Sequence, residues 1–352
     1  MMLPIALALV AAMVAAAFAL RWGATRRRER LRGDMLKRFH QCERQGREVH
    51  LDALAGQLAV PIRSARTTLD RLIAEGSVRA DGPHLRLTAA GRDAARALVR
   101  RHRLLETYLA DRAGHALGSL HRRADRLEHR VSDERLEAID RSLGHPLQDP
   151  HGDPIPNGRH RGGGRSTVAL DVCPAGAVVE VAHVEDEPEA LYRELLACGV
   201  TPGTSLEVVA NDDDGLRIAV AGHGEVRLRP PLAGQVDVVP SETGSAELRT
   251  ITRLDRLPLG VPARVVMLTS DLRGEGRRRL LDLGFTPGAH VRAAFGNALG
   301  SDPTAYLIRQ TKIALRRDLA RHVLVAPLAP SEGWAAARAR RTVPDDPARA
   351  AP

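Results

Sequence analysis

Aromatic side chains are scarce in this chain of 352 residues: four Phe, three Tyr and two Trp make up 3% of it. Its cores must therefore be assembled from Leu, Val, Ile and Ala. Cysteine is almost absent as well. Cys42, Cys173 and Cys198 stand far apart, which excludes a disulfide framework and the paired spacings of a zinc module. There is no P-loop, no dinucleotide fingerprint and no nucleophile–base pairing, so the chain is read as a non-enzyme. Acidic residues are outnumbered: 43 Asp and Glu face 52 Lys and Arg, leaving a formal net charge of +9 carried mainly by Arg. That balance favours an anionic partner, nucleic acid or a lipid surface.

One stretch is long and apolar. Leu3 to Leu20 (LPIALALVAAMVAAAFAL) runs for 18 residues, close to the length needed to cross a hydrocarbon core. No positive charge precedes it, whereas Arg21, Arg26, Arg27, Arg28, Arg30 and Arg32 follow. The positive-inside rule then expects a single transmembrane anchor over 1–22 in the inner membrane, a basic juxtamembrane segment over 23–33, and cytoplasmic domains beyond.

Residues 34–100 read as three helices and a hairpin. Met35, Leu36 and Phe39 share one face of a first helix, and Leu51, Leu54, Ala55 and Leu58 share a face of a second. Ala65, Leu69, Leu72 and Ile73 form the apolar stripe of a third helix, which Gly76 ends. VRADGPHLRLTAAG then reads as two short strands about the turn Asp81-Gly82-Pro83. Helix, turn, helix and hairpin make the winged helix-turn-helix pattern, which serves DNA binding or protein interaction. The expected recognition helix offers Arg63, Ser64, Arg66 and Thr67 to phosphates and base edges, and the wing offers Arg79, His84 and Arg86.

Amphipathic helices continue over 88–143, within a domain expected at 101–158, and end in the loop PLQDPHGDPIPNG. RHRGGGRS (159–166) reads as a linker. Short alternating strands follow, and they repeat. LYRELLACGVTPGTSLEVV in the first copy (167–240) corresponds to RRRLLDLGFTPGAHVRAAF in the second (250–328). Thr201-Pro202-Gly203 and Thr286-Pro287-Gly288 suit type II turns that open a strand, and each copy is expected to be a small β-barrel. The Ala-, Arg- and Pro-rich tail over 329–352 is expected to be disordered.

HRRADRLEHRVSD (121–133) carries His121, Asp125, Glu128 and His129 at helical spacings of three and four, and His102 and Glu106 lie four apart upstream. Imidazoles and carboxylates on such faces suit a first-row divalent metal. The crowd of arginines around them equally suits a solvated, ion-paired face.

The order of these parts resembles the DtxR/MntR family of metal-dependent transcriptional repressors. An Arg-His-Arg-Leu-x-Glu stretch, then His, then acid-x-x-Glu-His, then Gly-x-Pro-Ile-Pro, is matched by His102 and Glu106, His121, Asp125 with Glu128 and His129, and Gly152 to Pro156. The two Thr-Pro-Gly repeats resemble FeoA, an SH3-like domain. The resemblance implies an α+β multidomain regulator: winged helix, all-helical dimerisation domain and two FeoA-like modules. It implies one metal site from Asp34, Asp125, Glu128 and His129, and a neighbouring one from His102, Glu106 and His121. Mn²⁺ or Fe²⁺ is the implied ion, because Asp125 stands where iron-type members use Cys and is a harder donor. Lys37 stands where the manganese-type pattern has a second carboxylate on the first helix. No ligand is assigned near Pro188 and Leu191, where the resemblance places one from the SH3-like module.

The implied function is metal-dependent DNA binding by a homodimer, held at the membrane by the anchor. The alternative is a membrane-bound accessory of ferrous iron transport that works through its FeoA-like modules and partners a transporter.

Overall fold

The structure is a computed structural model. It describes residues 21–328 apart from Trp22, Ala24, Arg26, Gln45, Pro83, 157–166, Asp213 and 298–299, and apart from the side chains of 296–301. The anchor expected over Leu3–Leu20, the linker at 159–166 and the tail from 329 lie outside the described residues. Among the described residues, no helix is long and apolar enough to cross a membrane.

The chain packs as two compact units. The first begins with α1, helical over 27–44, whose Met35, Leu36 and Phe39 are completely buried. They meet Leu54 of α2 (Leu51–Gln57) and Leu69 and Leu72 of α3 (Ile62–Ala74) in one core. Each such side chain contributes about 1.5–3 kcal/mol by leaving water. Pro61 sits at the N-cap of α3 and Gly76 closes it at φ +74°. The stripe on α3 differs from expectation at one place: Ile73 is 38% exposed, and Thr68 fills the buried position. Thr68 can do so because its hydroxyl donates to the Ser64 carbonyl at 2.9 Å, so no polar group is orphaned.

Strands β1 (Val78–Asp81) and β2 (His84–Leu87) pair antiparallel as the wing. Helix α4 (Ala89–Asp111) then starts on Thr88, whose Oγ1 accepts the Gly91 N–H at 3.0 Å. Gly91 is required there: a Cβ would lie 1.9 Å from the Ser77 carbonyl oxygen, where the helix crosses the wing.

The amphipathic pattern beyond α4 breaks into two short helices, α5 (Leu120–Leu127) and α6 (Asp133–Leu143). Ser132 caps α6 by accepting from the Arg135 N–H, with Asp133 and Glu134 in the first turn, where the helix dipole favours acids. Arg100 on α4 bridges to Asp140 at 2.8 Å and to Glu137 at 2.9 Å on α6. Arg103 on α4 donates to the Pro154 carbonyl at 2.6 Å, tying the Pro-Ile-Pro loop to the helix.

The second unit contains two antiparallel sheets of identical topology. In the first, β3 (Val168–Ala169), β4 (Val178–Val184), β5 (Ser205–Asp212), β6 (Gly215–Val220), β7 (Gly224–Leu228) and β8 (Val236–Pro240) lie in the order β3-β8-β4-β5-β6-β7. Helices α7 (Glu189–Ala197) and α8 (Pro230–Ala233) connect them, and α9 (Ser245–Thr250) leads to the second copy. There β9 (Thr252–Arg253), β10 (Pro262–Leu268), β11 (His290–Asn297), β12 (Gly300–Ile308), β13 (Thr311–Leu315) and β14 (Val323–Pro327) take the order β9-β14-β10-β11-β12-β13, with α10 (Gly274–Asp282) and α11 (Arg317–Ala320) at the matching places.

The repeated Thr-Pro-Gly motif does the same work twice. Thr204 N–H donates to the Thr201 carbonyl and Ala289 N–H to the Thr286 carbonyl, each at 3.0 Å. Gly203 at φ +85° and Gly288 at φ +83° take the left-handed position that a type II turn demands, just before β5 and β11. The two modules also share a small apolar seam of Ala221, Leu248, Ile251, Leu324 and Ala326.

Candidate metal centre

Helix α4 places His102 and Glu106 one turn apart on one face, both buried. Helix α5 brings His121 against them. His102 Nε2 lies 3.0 Å from Glu106 Oε1 and 3.2 Å from His121 Nδ1, and His121 Nδ1 lies 3.4 Å from Glu106 Oε1. Nitrogen and oxygen ligands at about 2.1 Å from one ion stand roughly 3.0–3.4 Å from each other in octahedral or tetrahedral geometry. The triangle therefore fits one face of a divalent cation, and two imidazoles with a carboxylate are a donor set that manganese, iron or zinc accepts. His121 is a third exposed and gives solvent access to the face.

The other nitrogen of His102 is held in the opposite direction. Nδ1 lies 2.8 Å from Glu128 Oε2 and 3.4 Å from Asp125 Oδ1. A carboxylate behind an imidazole fixes its orientation and raises its basicity toward an ion on the far nitrogen. Without an ion, burial works against a charge on His102, but Glu106 and Glu128 outweigh it and raise its pKa to about 9. Burial likewise opposes the Glu128 carboxylate, yet the hydrogen bond with His102 and the charge of Lys37 hold it down at about 2.

Glu128 and His129 do not continue the helix as expected from their spacing. Helix α5 ends at Leu127, and residues 128–130 form a turn in which Glu128 N–H still donates to the Ala124 carbonyl at 2.8 Å. Arg101 on α4 holds this turn by donating to the Val131 carbonyl. Glu128 thus stays aimed at α4. His129 Nε2 is 3.3 Å from Glu128 Oε1, and the ring faces Gly33 on α1.

Helix α1 brings two further groups to this place. Asp34 is one, and Lys37 one turn later reaches between the carboxylates. Its Nζ lies 3.0 Å from Glu128 Oε1, 3.3 Å from Asp34 Oδ1 and 3.5 Å from Asp125 Oδ1. Burial disfavours this ammonium, but Glu128, Asp34 and Asp125 more than compensate and push its pKa above the ordinary lysine range. Burial raises the pKa of Asp34, with Lys37 pulling the other way. Ligand atoms of His102, Asp125 and Glu128 also lie close enough to share an ion, whereas Asp34 and His129 join neither of these groups. Sequence reasoning saw Lys37 as a missing carboxylate and did not foresee that its side chain fills the centre. The signal was there in its i, i+3 spacing from Asp34.

The expected DNA-contacting residues of α3 and of the wing strands are exposed. Arg63, Ser64, Arg66 and Thr67 are exposed on the first turns of α3, opposite its buried Ala65, Thr68, Leu69 and Leu72. Arg79 and Arg86 pair directly across the wing, both exposed. Like charges facing each other across a ladder are unfavourable, and an anion relieves the conflict. His84 is engaged elsewhere, with Nδ1 3.1 Å from Glu48 Oε1.

Comparison with known proteins identifies the parts of the chain. Residues 88–157 match the model of the iron dependent repressor, metal binding and dimerisation domain, and residues 168–240 and 252–327 each match the FeoA domain. The iron-dependent repressor IdeR of Mycobacterium tuberculosis is 32% identical over 185 residues, 49% of this chain and 80% of that protein. This chain belongs to the iron-dependent repressor family. The Mycobacterium leprae IdeR is 30% identical over 58% of this chain and 94% of its own length. A manganese-dependent transcriptional repressor solved with manganese is 33% identical and covers 59% of this chain and 99% of its own, at a TM-score of 0.55. ScaR with bound Zn²⁺ is 26% identical with a TM-score of 0.53. These relatives of the iron-dependent repressor family are transcriptional repressors and not enzymes.

Proposed function

We propose that this chain is a DNA-binding transcriptional regulator of metal homeostasis that responds to Mn²⁺ or Fe²⁺ held by His102, Glu106 and His121. The observation that carries it is the triangle of ligand atoms on α4 and α5, with His102 backed by Glu128. A bound divalent cation supplies fixed positive charge and directional coordination at that face, where the metal-free protein holds a proton. Glu106 and the two imidazoles bind; Glu128 orients His102; Lys37 joins Glu128 to α1, the first helix of the winged helix. The helical domain and the winged helix are thereby connected through one polar chain. In a homodimer formed through the helical domain, the position of α1 sets the spacing of two recognition helices on two half-sites.

The reading is tested by DNA binding at fixed salt, with and without Mn²⁺. Metal-dependent protection of a specific sequence, lost in His121→Ala, is expected. Metal uptake with no DNA affinity at low salt overturns it.

Attachment of this regulator to the membrane rests on the Leu3–Leu20 run and its trailing arginines, and is tested by whether the full chain sediments with washed membranes. The paired FeoA modules favour the second reading, an accessory of ferrous iron transport. Nuclease-resistant co-purification with a transporter supports it, and recovery of specific DNA counts against it.

A further inference from the structure

The centre formed by Asp34, Asp125 and Glu128 does not fit a divalent ion as it stands. Carboxylates from three elements surround the Lys37 ammonium, although Asp34 does not come close enough to the other two for all three to share one ion. The cation present is the Lys37 ammonium, 3.0–3.5 Å from one oxygen of each. An ion that drew these oxygens in to about 2.1 Å would have to take the volume of the ammonium. It also sets two positive charges side by side in a place where Glu128 is 2% exposed and Lys37 is 19% exposed.

The lysine is well placed to stay. It shares α1 with Asp34 one turn before it, and its Nζ donates to Glu128 at 3.0 Å. Glu128 has its second oxygen committed to His102 Nδ1 at 2.8 Å. Removing the ammonium leaves a buried carboxylate short of a partner, which opposes its departure. The alternative group of His102, Asp125 and Glu128 uses the same Asp125 and Glu128 carboxylates and meets the same ammonium.

We propose that Lys37 is a built-in cation that fills the Asp34–Asp125–Glu128 centre in place of a divalent ion. Metal response then belongs to the His102–Glu106–His121 centre and not to the one Lys37 fills, a consequence that rests on the function proposed above. Helix α1 is docked to the helical domain through its own side chain, with no metal required for that contact. What remains for a metal to alter is the far side of the same polar chain, through His102.

The test counts Mn²⁺ on the full-length protein by elemental analysis after equilibrium dialysis, with electron paramagnetic resonance of the bound ion. Lys37→Glu replaces the ammonium with a fourth carboxylate and is expected to bind one Mn²⁺ per protomer more than the wild type. Its signal is expected to broaden from that of an isolated ion to that of a coupled pair. Asp34→Asn in the wild-type background is expected to leave the Mn²⁺ count unchanged, because no ion rests on Asp34. No gain in a folded Lys37→Glu, or a loss of one equivalent in Asp34→Asn, overturns the proposal. The Asp34→Asn arm decides alone if Lys37→Glu does not fold. Glu106→Gln separates the two ideas. If it removes no Mn²⁺ from the wild type, the metal reading of the His102 centre fails, while the Lys37 result stands or falls on its own arms.

Discussion

Two clusters of candidate ligand atoms lie back to back on the imidazole of His102, and they differ in where their positive charge comes from. On the Nε2 side, Glu106 and His121 offer donors, and a proton on His102 pairs with the Glu106 carboxylate. On the Nδ1 side, the carboxylates of Asp34, Asp125 and Glu128 surround an ammonium that the chain carries itself. A proton can be displaced by a metal, whereas a side chain anchored on a helix is displaced only with loss of its packing and its ion pairs. The difference teaches that neighbouring clusters of similar ligand types can differ in function through one residue, and that the filled cluster can serve as the mechanical support of the open one.

The largest effect expected is on the filled side. Lys37→Ala in metal-free protein leaves Glu128 buried without its ammonium and should cost about 3 kcal/mol, read as a lower urea midpoint in the presence of a chelator. A variant as stable as the wild type breaks the comparison, since the centre is then not held by that charge. On the open side, His121→Ala removes one of three donors, and Mn²⁺ affinity should fall about 100-fold or more in a competition titration. An unchanged affinity shows that the triangle is not the metal face.

Proton competition sharpens the contrast. Because the His102 pKa is raised to about 9 when folded, its ion pairing stabilises the metal-free protein fully below about pH 6.5, and this stability is lost as pH rises through about 9. An ion at Nε2 must displace that proton, so Mn²⁺ affinity should climb about tenfold per pH unit between these limits. A flat profile across pH 6.5–9 places the ion elsewhere. The smallest effect belongs to the DNA face. Arg79→Ala and Arg86→Ala should each weaken binding uniformly across sequences and lower the salt dependence by about one unit of slope.

Much of the fold was legible from periodicity. The stripe Met35, Leu36, Phe39 needs only the 3.6-residue repeat, and Thr-Pro-Gly needs only the known geometry of a type II turn. Ile73 misled because it sits at the edge of its stripe, and burial there depends on what packs opposite. The candidate ligands His102, Glu106 and His121 were legible as a pattern, but Glu128 and His129 were placed on a helix that in fact ends at Leu127. The tie from Arg101 to the Val131 carbonyl spans 30 residues and has no local signature.

Sequence alone determined the parts: which residues could form a winged helix, which side chains could ligate a metal, and that the β module occurs twice. These follow from local rules, because spacing along the chain dictates which groups share a face. Tertiary structure alone decided how the candidate ligand set divides. His102 serves one centre with Nε2 and the other with Nδ1, and Lys37 fills the second from a helix 91 residues away from Glu128. Local spacing does not encode such an outcome, because charges from distant segments compete for one buried volume, and packing decides which cation occupies it.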